Sequence, residues 1–156
     1  MKKILFVCEG NTCRSPMAKA LCDKHLKESG LDGLYSCDSA GTGAYPGEPA
    51  HEKAIAVMRE IGIDITGHRT KKLTPSLLSE ADMVFTMTPA LQFLIAEAFP
   101  EKAEKVSVIG KSIDDPYGKA IGAYRDCRDT LDGHIQNIAA LIRQELSGKG
   151  YPVNGF

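Results

Sequence analysis

Residues 4–16 of the chain read ILFVCEGNTCRSP, an apolar run followed by a short polar loop and a proline. The apolar residues at 4–7 are typical of a parallel strand that is covered on both faces. Ser15 and Pro16 are typical of the N-cap and first turn of a helix, so they predict that a helix begins there. A loop that joins a strand to a helix directs backbone N–H groups at an anion. The segment therefore predicts an anion-binding loop after the first strand.

Two side chains of this loop are suited to phosphoryl transfer. The guanidinium of Arg14 can bind two phosphate oxygens at once. The same positive field favours a thiolate at Cys8, and a thiolate is a strong nucleophile. We therefore expect Cys8 and Arg14 to be catalytic, with the loop amides stabilising the transferred charge. The other members of the predicted phosphate-binding loop are Glu9, Gly10, Asn11, Thr12, Cys13 and Ser15.

Two of these loop residues are expected to support the nucleophile. Asn11 tolerates left-handed backbone in a tight loop, and its amide can hold neighbouring groups. Ser15 can donate a hydrogen bond to the sulfur of Cys8, which would stabilise the thiolate and make it a better leaving group. Both side chains are therefore predicted to hold the loop in shape around the sulfur.

The composition is that of an ordinary globular protein, with 156 residues of which 43% are hydrophobic and 25% charged. This length predicts one domain. The net charge of −1 provides no argument for a nucleic-acid or membrane partner. The apolar run at the N-terminus is too short for a signal peptide, and no stretch is long enough to span a bilayer.

The five cysteines predict a reduced, cytoplasmic protein, because their number is odd and we find no export signal. They form no Cys-x-x-Cys pair and match no common zinc spacing. We therefore expect no metal and no cofactor. Cys22, Cys37 and Cys127 are expected to be small buried hydrophobic residues.

Strand and helix patterns alternate along the chain. Strands are predicted at residues 3–8, 34–40, 82–87 and 105–109. Helices are predicted to begin at Ser15-Pro16, Thr74-Pro75 and Thr88-Pro89, and to cover residues 50–61 and 119–147. The alternation predicts a single-domain α/β fold, with a four-stranded parallel sheet and helices on both faces. Ligands bind beyond the carboxyl ends of such strands, where the loop at residues 8–15 lies.

Two helices are predicted from apolar stripes. The helix at 50–61 carries Ala54, Met58 and Ile61 on one stripe, with Gly62 at its end. The last helix repeats apolar residues at helical spacing, namely Tyr124, Leu131, Ile135, Ile138 and Ile142. The domain is expected to cover residues 1–147, followed by a loose glycine-rich tail at 148–156.

Cys8, followed by five residues and then Arg14-Ser15, resembles the signature of cysteine-dependent phosphatases. With Gly10-Asn11 inside it and Pro16 after it, the segment resembles the low-molecular-weight protein phosphatase family. A second match lies at Asp115-Pro116-Tyr117, where that family carries its general acid. The resemblance covers nearly the whole chain and is nearest to the bacterial branch of protein-arginine phosphatases.

The resemblance implies hydrolysis through a phosphocysteine on Cys8, with no metal. Asp115 would protonate the leaving atom and then activate the attacking water. The proline after Asp115 favours an extended backbone, which helps a loop to aim a carboxylate. Ser39 and His68 match residues that, in this family, hold the loop through Asn11.

Cys13 lies five residues after Cys8 in the same loop. The resemblance implies that Cys13 traps an oxidised Cys8 as a disulfide, which protects Cys8 from irreversible oxidation. A plain buried thiol is an equally good interpretation of Cys13 from the sequence.

Thr12 bears on which phosphorylated side chain is the substrate. Tyrosine-specific members of the family usually carry isoleucine at this position, whereas members that resemble protein-arginine phosphatases carry threonine. A hydroxyl makes the pocket wall more polar, which suits a guanidinium. Phosphoarginine is therefore favoured, and the run Asp115-Pro116-Tyr117-Gly118 also looks closer to that branch.

One departure favours the alternative, a phosphotyrosine phosphatase. The arginine-directed branch is expected to carry an aromatic residue near position 43, but this chain has Gly43, with Tyr45 two residues later. Tyr45 and Tyr117 would then form the walls of a deep slot that stacks on a phosphotyrosine ring. With either substrate, the partner is a phosphorylated protein or peptide.

Other classes fit the chain less well. Arsenate reductases that resemble this chain need two further cysteines near residues 80–90, and that segment has none. A non-catalytic phosphopeptide-binding module is a remote alternative, because such a module needs no combination of thiol, arginine and acid. The sequence carries no signal for the oligomeric state.

Overall fold

Strands and helices alternate along the chain, as the sequence predicts. The structure is a computed structural model that describes residues 1–149. The strands are β1 (Lys2–Cys8), β2 (Tyr35–Gly41), β3 (Met83–Thr86) and β4 (Val106–Val108). The helices are α1 (Arg14–Glu28), α2 (Glu52–Arg59), α3 (Pro75–Glu80), α4 (Pro89–Ala98) and α5 (Ile121–Gly148). A 3-10 helix, Pro100–Lys105, leads into β4.

The four strands form one parallel sheet in the order β2-β1-β3-β4. Ile4 of β1 pairs with Cys37 on one side and with Met83 on the other. The chain adds β2 to one edge of β1 and then crosses to add β3 at the other edge. Ligands bind where the strand order reverses in this way, and Cys8 is the last residue of β1. The predicted α/β class and four-stranded parallel sheet are confirmed.

Both faces of β1 are covered by helices. Ile4 and Phe6 are fully buried in a core cluster built with α1, α2 and α5. Leu5 and Val7 point to the opposite face, where they share a second cluster with residues of α3 and α4. A strand covered on both faces needs apolar residues at every position, which explains the uninterrupted run at residues 4–7.

Two of the predicted helix starts are confirmed in detail. Thr74 accepts a hydrogen bond from the backbone N–H of Leu77, and Pro75 is the first residue of α3. Thr88 accepts one from the N–H of Leu91 at the start of α4. Each threonine oxygen thus satisfies an N–H that has no partner within the helix.

The predicted N-cap at Ser15 is wrong. α1 begins at Arg14, and its N-cap residue, Cys13, makes no capping hydrogen bond with its side chain. Ser15 is fully buried, and its hydroxyl lies within hydrogen-bond distance of Cys8 and Asn11 instead. The hydroxyl expected to cap the helix is therefore used by the loop in front of it.

Two smaller expectations are also wrong. α2 ends at Arg59, so Ile61 lies beyond the helix and is 37% exposed rather than on its buried stripe. Gly62, with a φ of 79°, turns the chain immediately afterwards. Cys37 is only partly buried, because β2 lies at an edge of the sheet, whereas Cys22 and Cys127 are buried as expected.

The last helix packs one face against the core. Tyr124, Leu131, Ile135 and Ile142 are buried as predicted, while Ile138 is partly buried at the margin of the cluster. α5 continues through Gly148, and nearly all of the predicted tail lies outside the described residues. Within residues 1–149, no helix combines the length and apolar character needed to cross a membrane.

Candidate active site

The sulfur of Cys8 lies at the centre of a hydrogen-bonded loop. Cys8 is only 2% exposed. Its Sγ accepts a hydrogen bond from the backbone N–H of Asn11 at 3.2 Å and lies 2.9 Å from Oγ of Ser15. Ser15 Oγ accepts a hydrogen bond from Asn11 Nδ2 at 2.7 Å, so its own hydrogen is available to the sulfur. Two donors thus place partial positive charge beside the thiol.

Asn11 organises this loop from the inside. It is fully buried and adopts a left-handed φ of 57°, which asparagine tolerates better than most residues. Its Nδ2 also donates to Ser39 Oγ at 3.1 Å, and its backbone carbonyl accepts from His68 Nε2 at 2.8 Å. Ser39 and His68, both predicted to support the loop, therefore contact Asn11 directly.

The hydrogen bond to Asn11 and the burial of the ring determine the tautomer and the charge of His68. A carbonyl oxygen can only accept, so Nε2 of His68 carries the proton shared with Asn11. Burial lowers the pKa of His68, and three nearby cations, Lys19, Lys71 and Arg69, lower it further. The hydrogen bond to Asn11 opposes this shift without reversing it. His68 is therefore a neutral donor at neutral pH.

Arg14 links the loop to a segment far along the chain. Its side chain is almost fully buried, and one terminal nitrogen donates to the backbone carbonyl of Ile113 at 2.9 Å. The other terminal nitrogen lies 3.6 Å from Oδ2 of Asp115. Oδ1 of Asp115 accepts the backbone N–H of Tyr117 at 3.1 Å, which holds the carboxylate toward Arg14. The predicted acid and the predicted anion-binding arginine are thus brought together.

A cavity of about 220 Å³ opens above the sulfur. It is lined by Cys8, Glu9, Gly10, Asn11, Thr12, Cys13, Arg14, Asp115 and Tyr117. Tyr117 is 67% exposed at its mouth, and Thr12 is partly exposed on its wall. Among the described residues, no group of three histidine, cysteine or acidic side chains is arranged to hold a metal.

Tyr45, which the sequence predicts in the pocket wall, does not line this cavity. Its side chain is 77% exposed. The surrounding loop is bound to Thr70 instead: the Thr70 hydroxyl donates to the carbonyl of Tyr45, and the Thr70 carbonyl accepts from Gly47. These hydrogen bonds hold the loop on residues near Thr70, while the ring remains in solvent.

The thiol of Cys13 is buried against Tyr124 of the last helix. Cys13 is 4% exposed, and its Sγ donates to the hydroxyl of Tyr124 at 3.5 Å. Burial raises the pKa of the Cys13 thiol, and burial likewise raises the pKa of the Tyr124 phenol. Both groups are therefore neutral at physiological pH.

Sequence reasoning missed three contributors to the site. The N–H of Lys71 donates to Asn11 Oδ1 at 2.9 Å, and the carbonyl of Ile113 binds Arg14. The backbone N–H of His51 donates to the carbonyl of Thr12 at 2.9 Å. All three act through backbone groups, a carbonyl that every residue carries and N–H groups that every residue except proline carries, so no side-chain pattern marks them.

Known proteins resemble this chain over almost all of its length. Residues 3–148 match the family described as low molecular weight phosphotyrosine protein phosphatase. The chain belongs to this family. The family assignment confirms the resemblance seen in the sequence and the predicted class, that of low-molecular-weight protein phosphatases.

The relatives of this phosphatase are named for different substrates. It is 43% identical over 149 residues to a probable low molecular weight protein-tyrosine-phosphatase, EpsP, of Ralstonia solanacearum, which covers 90% of this chain and 99% of the relative. It is 39% identical over 150 residues to a protein-arginine-phosphatase of Geobacillus stearothermophilus, with 92% and 97% covered. The family assignment alone therefore leaves the substrate side chain open.

A solved relative carries a phosphorylated nucleophile. It is a mutant of the arginine phosphatase YwlE with a phosphorylated active-site serine. It matches with a TM-score of 0.85 and 32% identity, and the match covers 91% of this chain and 96% of that one. A covalent phosphoenzyme is thus seen in a protein of the same fold.

Proposed function

We propose that this phosphatase hydrolyses phosphorylated protein side chains through a phosphocysteine on Cys8. The observation that carries the proposal is the convergence of the Cys8 thiol, the Arg14 guanidinium and the Asp115 carboxylate on one cavity. A module that only binds phosphopeptides would need an arginine but neither a nucleophile nor an acid. The combination therefore favours catalysis over the non-catalytic alternative.

In the first step, Cys8 attacks phosphorus as a thiolate. The S–P bond forms while the bond from phosphorus to the leaving atom breaks. Arg14 and the backbone N–H groups of residues 9–15 stabilise the charge on the phosphoryl oxygens. Ser15, whose oxygen lies 2.9 Å from the sulfur, supports the thiolate before attack and again when the sulfur departs.

Asp115 supplies and then removes a proton. It protonates the leaving atom in the first step, so the substrate side chain departs neutral or as a protonated guanidine. In the second step the oxygen of a water molecule attacks phosphorus while the water gives a proton to Asp115. The S–P bond breaks and the thiolate of Cys8 is released. The side chain of Asp115 is 51% exposed, which lets both a leaving group and water reach it.

We favour phosphoarginine over phosphotyrosine as the substrate because of Thr12. Its partly exposed side chain lines the cavity, with Oγ1 3.6 Å from Cys13 Sγ. A hydroxyl at this wall suits a polar guanidinium, and the relative from Geobacillus stearothermophilus is named for that substrate. Phosphotyrosine is the alternative, supported by the exposed ring of Tyr117 at the cavity mouth and by the relative named EpsP.

Two peptides that differ only in the phosphorylated residue separate these substrates. We expect a higher kcat/KM on the phosphoarginine peptide than on the phosphotyrosine peptide. Thr12→Ile should shift that ratio toward phosphotyrosine, whereas Thr12→Val removes the hydroxyl without the extra methylene and separates polarity from bulk. A wild-type preference for phosphotyrosine would make the alternative correct, and one ratio shared by all three proteins would remove Thr12 from the argument.

We also propose that Cys13 protects an oxidised Cys8 by forming a disulfide. The two thiols belong to one short loop, and burial raises the pKa of Cys13, with a smaller contribution from the neighbouring Cys8. Peroxide should inactivate both the wild type and Cys13→Ser. Dithiothreitol added afterwards should restore the activity of the wild type but not that of Cys13→Ser. Equal recovery of the two proteins would favour the plain buried thiol.

We also propose that the protein is located in the cytoplasm. All five cysteines are free thiols in the structure, which suits a reducing compartment. Cell fractionation with an antibody against the protein tests this, and recovery in a membrane or extracellular fraction would contradict it.

A further inference from the structure

We propose that His51 is a positioning residue, which holds the aromatic wall of the cavity and so sets the leaving groups that the enzyme accepts. The proposal rests on the phosphatase function proposed above. His51 is the N-cap residue of α2 and does not itself line the cavity. Its effect on substrate must therefore pass through the residues that it contacts.

The imidazole of His51 lies between two tyrosines. Its ring stacks on Tyr124 with centroids 5.3 Å apart and planes inclined by 27°. It meets Tyr117 edge to face, with centroids 5.8 Å apart and planes at 84°. Tyr124 is fully buried in α5, whereas Tyr117 is 67% exposed. His51 therefore joins a fixed ring of the core to the exposed ring at the cavity mouth.

The backbone of the same residue contacts a second residue of the cavity lining. The N–H of His51 donates to the carbonyl of Thr12 at 2.9 Å. Thr12 and Tyr117 line the same cavity, and His51 contacts both of them. Two lining residues are thus tied to His51, Thr12 through its main chain and Tyr117 through its ring.

The first turn of α2 also holds the far end of the acid-bearing loop. Nδ1 of His51 accepts the N–H of Lys53 at 3.1 Å, which caps the helix. Nζ of Lys53 then donates to the carbonyl of Lys119 at 2.7 Å. The segment from Asp115 to Lys119 is therefore fastened to α2 both through Tyr117 and through its last residue.

These contacts predict which kinetic quantities depend on His51. A phosphoryl group meets the loop and Arg14, whereas the ring of His51 packs on Tyr117 and Tyr124. Thr12 and Tyr117 line the cavity that the leaving side chain must enter, so its fit depends on the position of Tyr117. Loss of the imidazole should change discrimination between leaving groups and leave the affinity for inorganic phosphate unchanged.

Two substitutions separate the ring of His51 from its capping role. Asn is a good N-cap and can accept the N–H of Lys53, but His51→Asn removes both ring contacts. His51→Phe keeps an aromatic ring against both tyrosines but removes the capping nitrogen. We expect both variants to lower Tm by a few degrees, roughly 2–4 °C per kcal/mol lost. A difference between them in selectivity therefore cannot arise from lost stability alone.

The test compares peptide kcat/KM and phosphate inhibition in the full-length enzyme. His51→Asn should lose roughly 2- to 12-fold in kcat/KM on the preferred peptide, the range expected for an aromatic pair. The loss should appear in KM and in the ratio between phosphoarginine and phosphotyrosine peptides. The Ki of inorganic phosphate should stay within about twofold of the wild type, and His51→Phe should keep the wild-type ratio.

Tyr117→Ala provides a second route that does not depend on the folding of the His51 variants, because Tyr117 is exposed. It should change the peptide ratio in the same direction as His51→Asn, and the double variant should lose no more than Tyr117→Ala alone. An unchanged peptide ratio in His51→Asn, fully additive losses, or a phosphate Ki that rises with KM would overturn the proposal. Absence of phosphatase activity in the wild type would instead overturn the proposed function, and this proposal with it.

Discussion

The phosphate-binding loop and the loop that carries Asp115 are held in opposite ways. Cys8, Asn11 and Ser15 are at most 2% exposed and are bound to one another by several hydrogen bonds. Asp115 and Tyr117 are more than half exposed, and one backbone N–H joins the two residues. These three side chains of the phosphate-binding loop are therefore buried, while the two of the loop that carries Asp115 are exposed.

The difference follows from what each loop has to do. Groups that stabilise a developing charge are effective only if they are already oriented, because reorienting them during the reaction costs free energy. A proton donor must instead meet leaving groups of different shape and then admit a water molecule. Substitutions of the buried residues Cys8, Asn11 and Ser15 should therefore affect all substrates alike, whereas substitutions of Asp115 and Tyr117 should have effects that depend on the leaving group.

The largest expected effect is that of Cys8→Ser. It should lower kcat on every substrate by a factor on the order of 10⁴ to 10⁶, because the nucleophile is lost. Inorganic phosphate should still bind, since Arg14 and the loop amides remain. Turnover with several leaving groups and phosphate binding by calorimetry check both statements, and turnover near the wild-type rate would exclude Cys8 as the nucleophile.

Asp115→Asn should give the next largest effect, and one that depends on substrate. Loss of general-acid catalysis should cost roughly 10²- to 10⁴-fold on a poor leaving group. An activated aryl phosphate, whose phenolate departs without a proton, should lose far less. The ratio of kcat between the two substrates measures this, and equal losses on both would contradict an acid role for Asp115.

Asn11→Ala should lower stability and should affect all substrates alike. The variant leaves buried groups on Ser15, Ser39 and Lys71 without their partner and places alanine at a left-handed φ. We expect a loss of about 3 kcal/mol in the free energy of unfolding. Urea unfolding measures this loss, and kinetics on two substrates should show an unchanged ratio.

Ser39→Ala is the matched control for Asn11→Ala, because it removes one of these hydrogen bonds and leaves the backbone unchanged. It should cost about 1 kcal/mol. Similar losses in the two variants would show that the remaining bonds of Asn11 contribute little.

The smallest expected effect is the dependence of stability on pH through His68. Burial lowers the pKa of His68 below its ordinary 6.5. Between the folded and unfolded pKa values, the unfolded chain binds a proton at this residue and the folded chain does not. The contribution of the neutral His68 to the free energy of unfolding is therefore fully present above about pH 6.5. It declines as the pH falls through this window, by at most about 1.4 kcal/mol per pH unit.

His68→Gln isolates that contribution, since Gln can still donate to the Asn11 carbonyl but does not titrate. Urea unfolding at pH 7.5 and 5.5 should show a smaller loss on acidification for His68→Gln than for the wild type. An equal loss in the two proteins would assign the pH dependence to other groups.

The same contrast explains how much of the molecule the sequence predicts. The phosphate-binding loop is eight consecutive residues, so the order of its side chains along the chain, Cys8 to Ser15, almost defines its chemistry. The strand before it is an apolar run, which can be recognised from consecutive residues alone. The exposed loop is different, because the place of Asp115 beside Arg14 depends on packing between distant segments. There, only the resemblance to the family predicted the role of Asp115.

Three residues have contacts that the local sequence pattern does not reveal. Ser15 was expected to cap a helix, but a buried hydroxyl beside a thiol has a competing partner. Tyr45 was expected in the pocket wall, but its loop is bound to Thr70, which lies 25 residues further on. His51 carried no signal, because its ring contacts Tyr117 and Tyr124, which follow it by more than 60 residues. For Tyr45 and His51 the decisive contacts are with distant residues, whereas Ser15 is bound by Cys8 and Asn11 of its own loop.

The hydrogen bond from Arg14 to the carbonyl of Ile113 joins residues that are 99 positions apart. The anion-binding guanidinium therefore takes its final orientation only after the chain beyond β4 has docked. An amino-terminal fragment that forms β1 and α1 would contain the nucleophile but lack this anchor. Recovery of turnover during refolding should consequently report docking of the segment that follows β4, rather than formation of the first strand–helix unit.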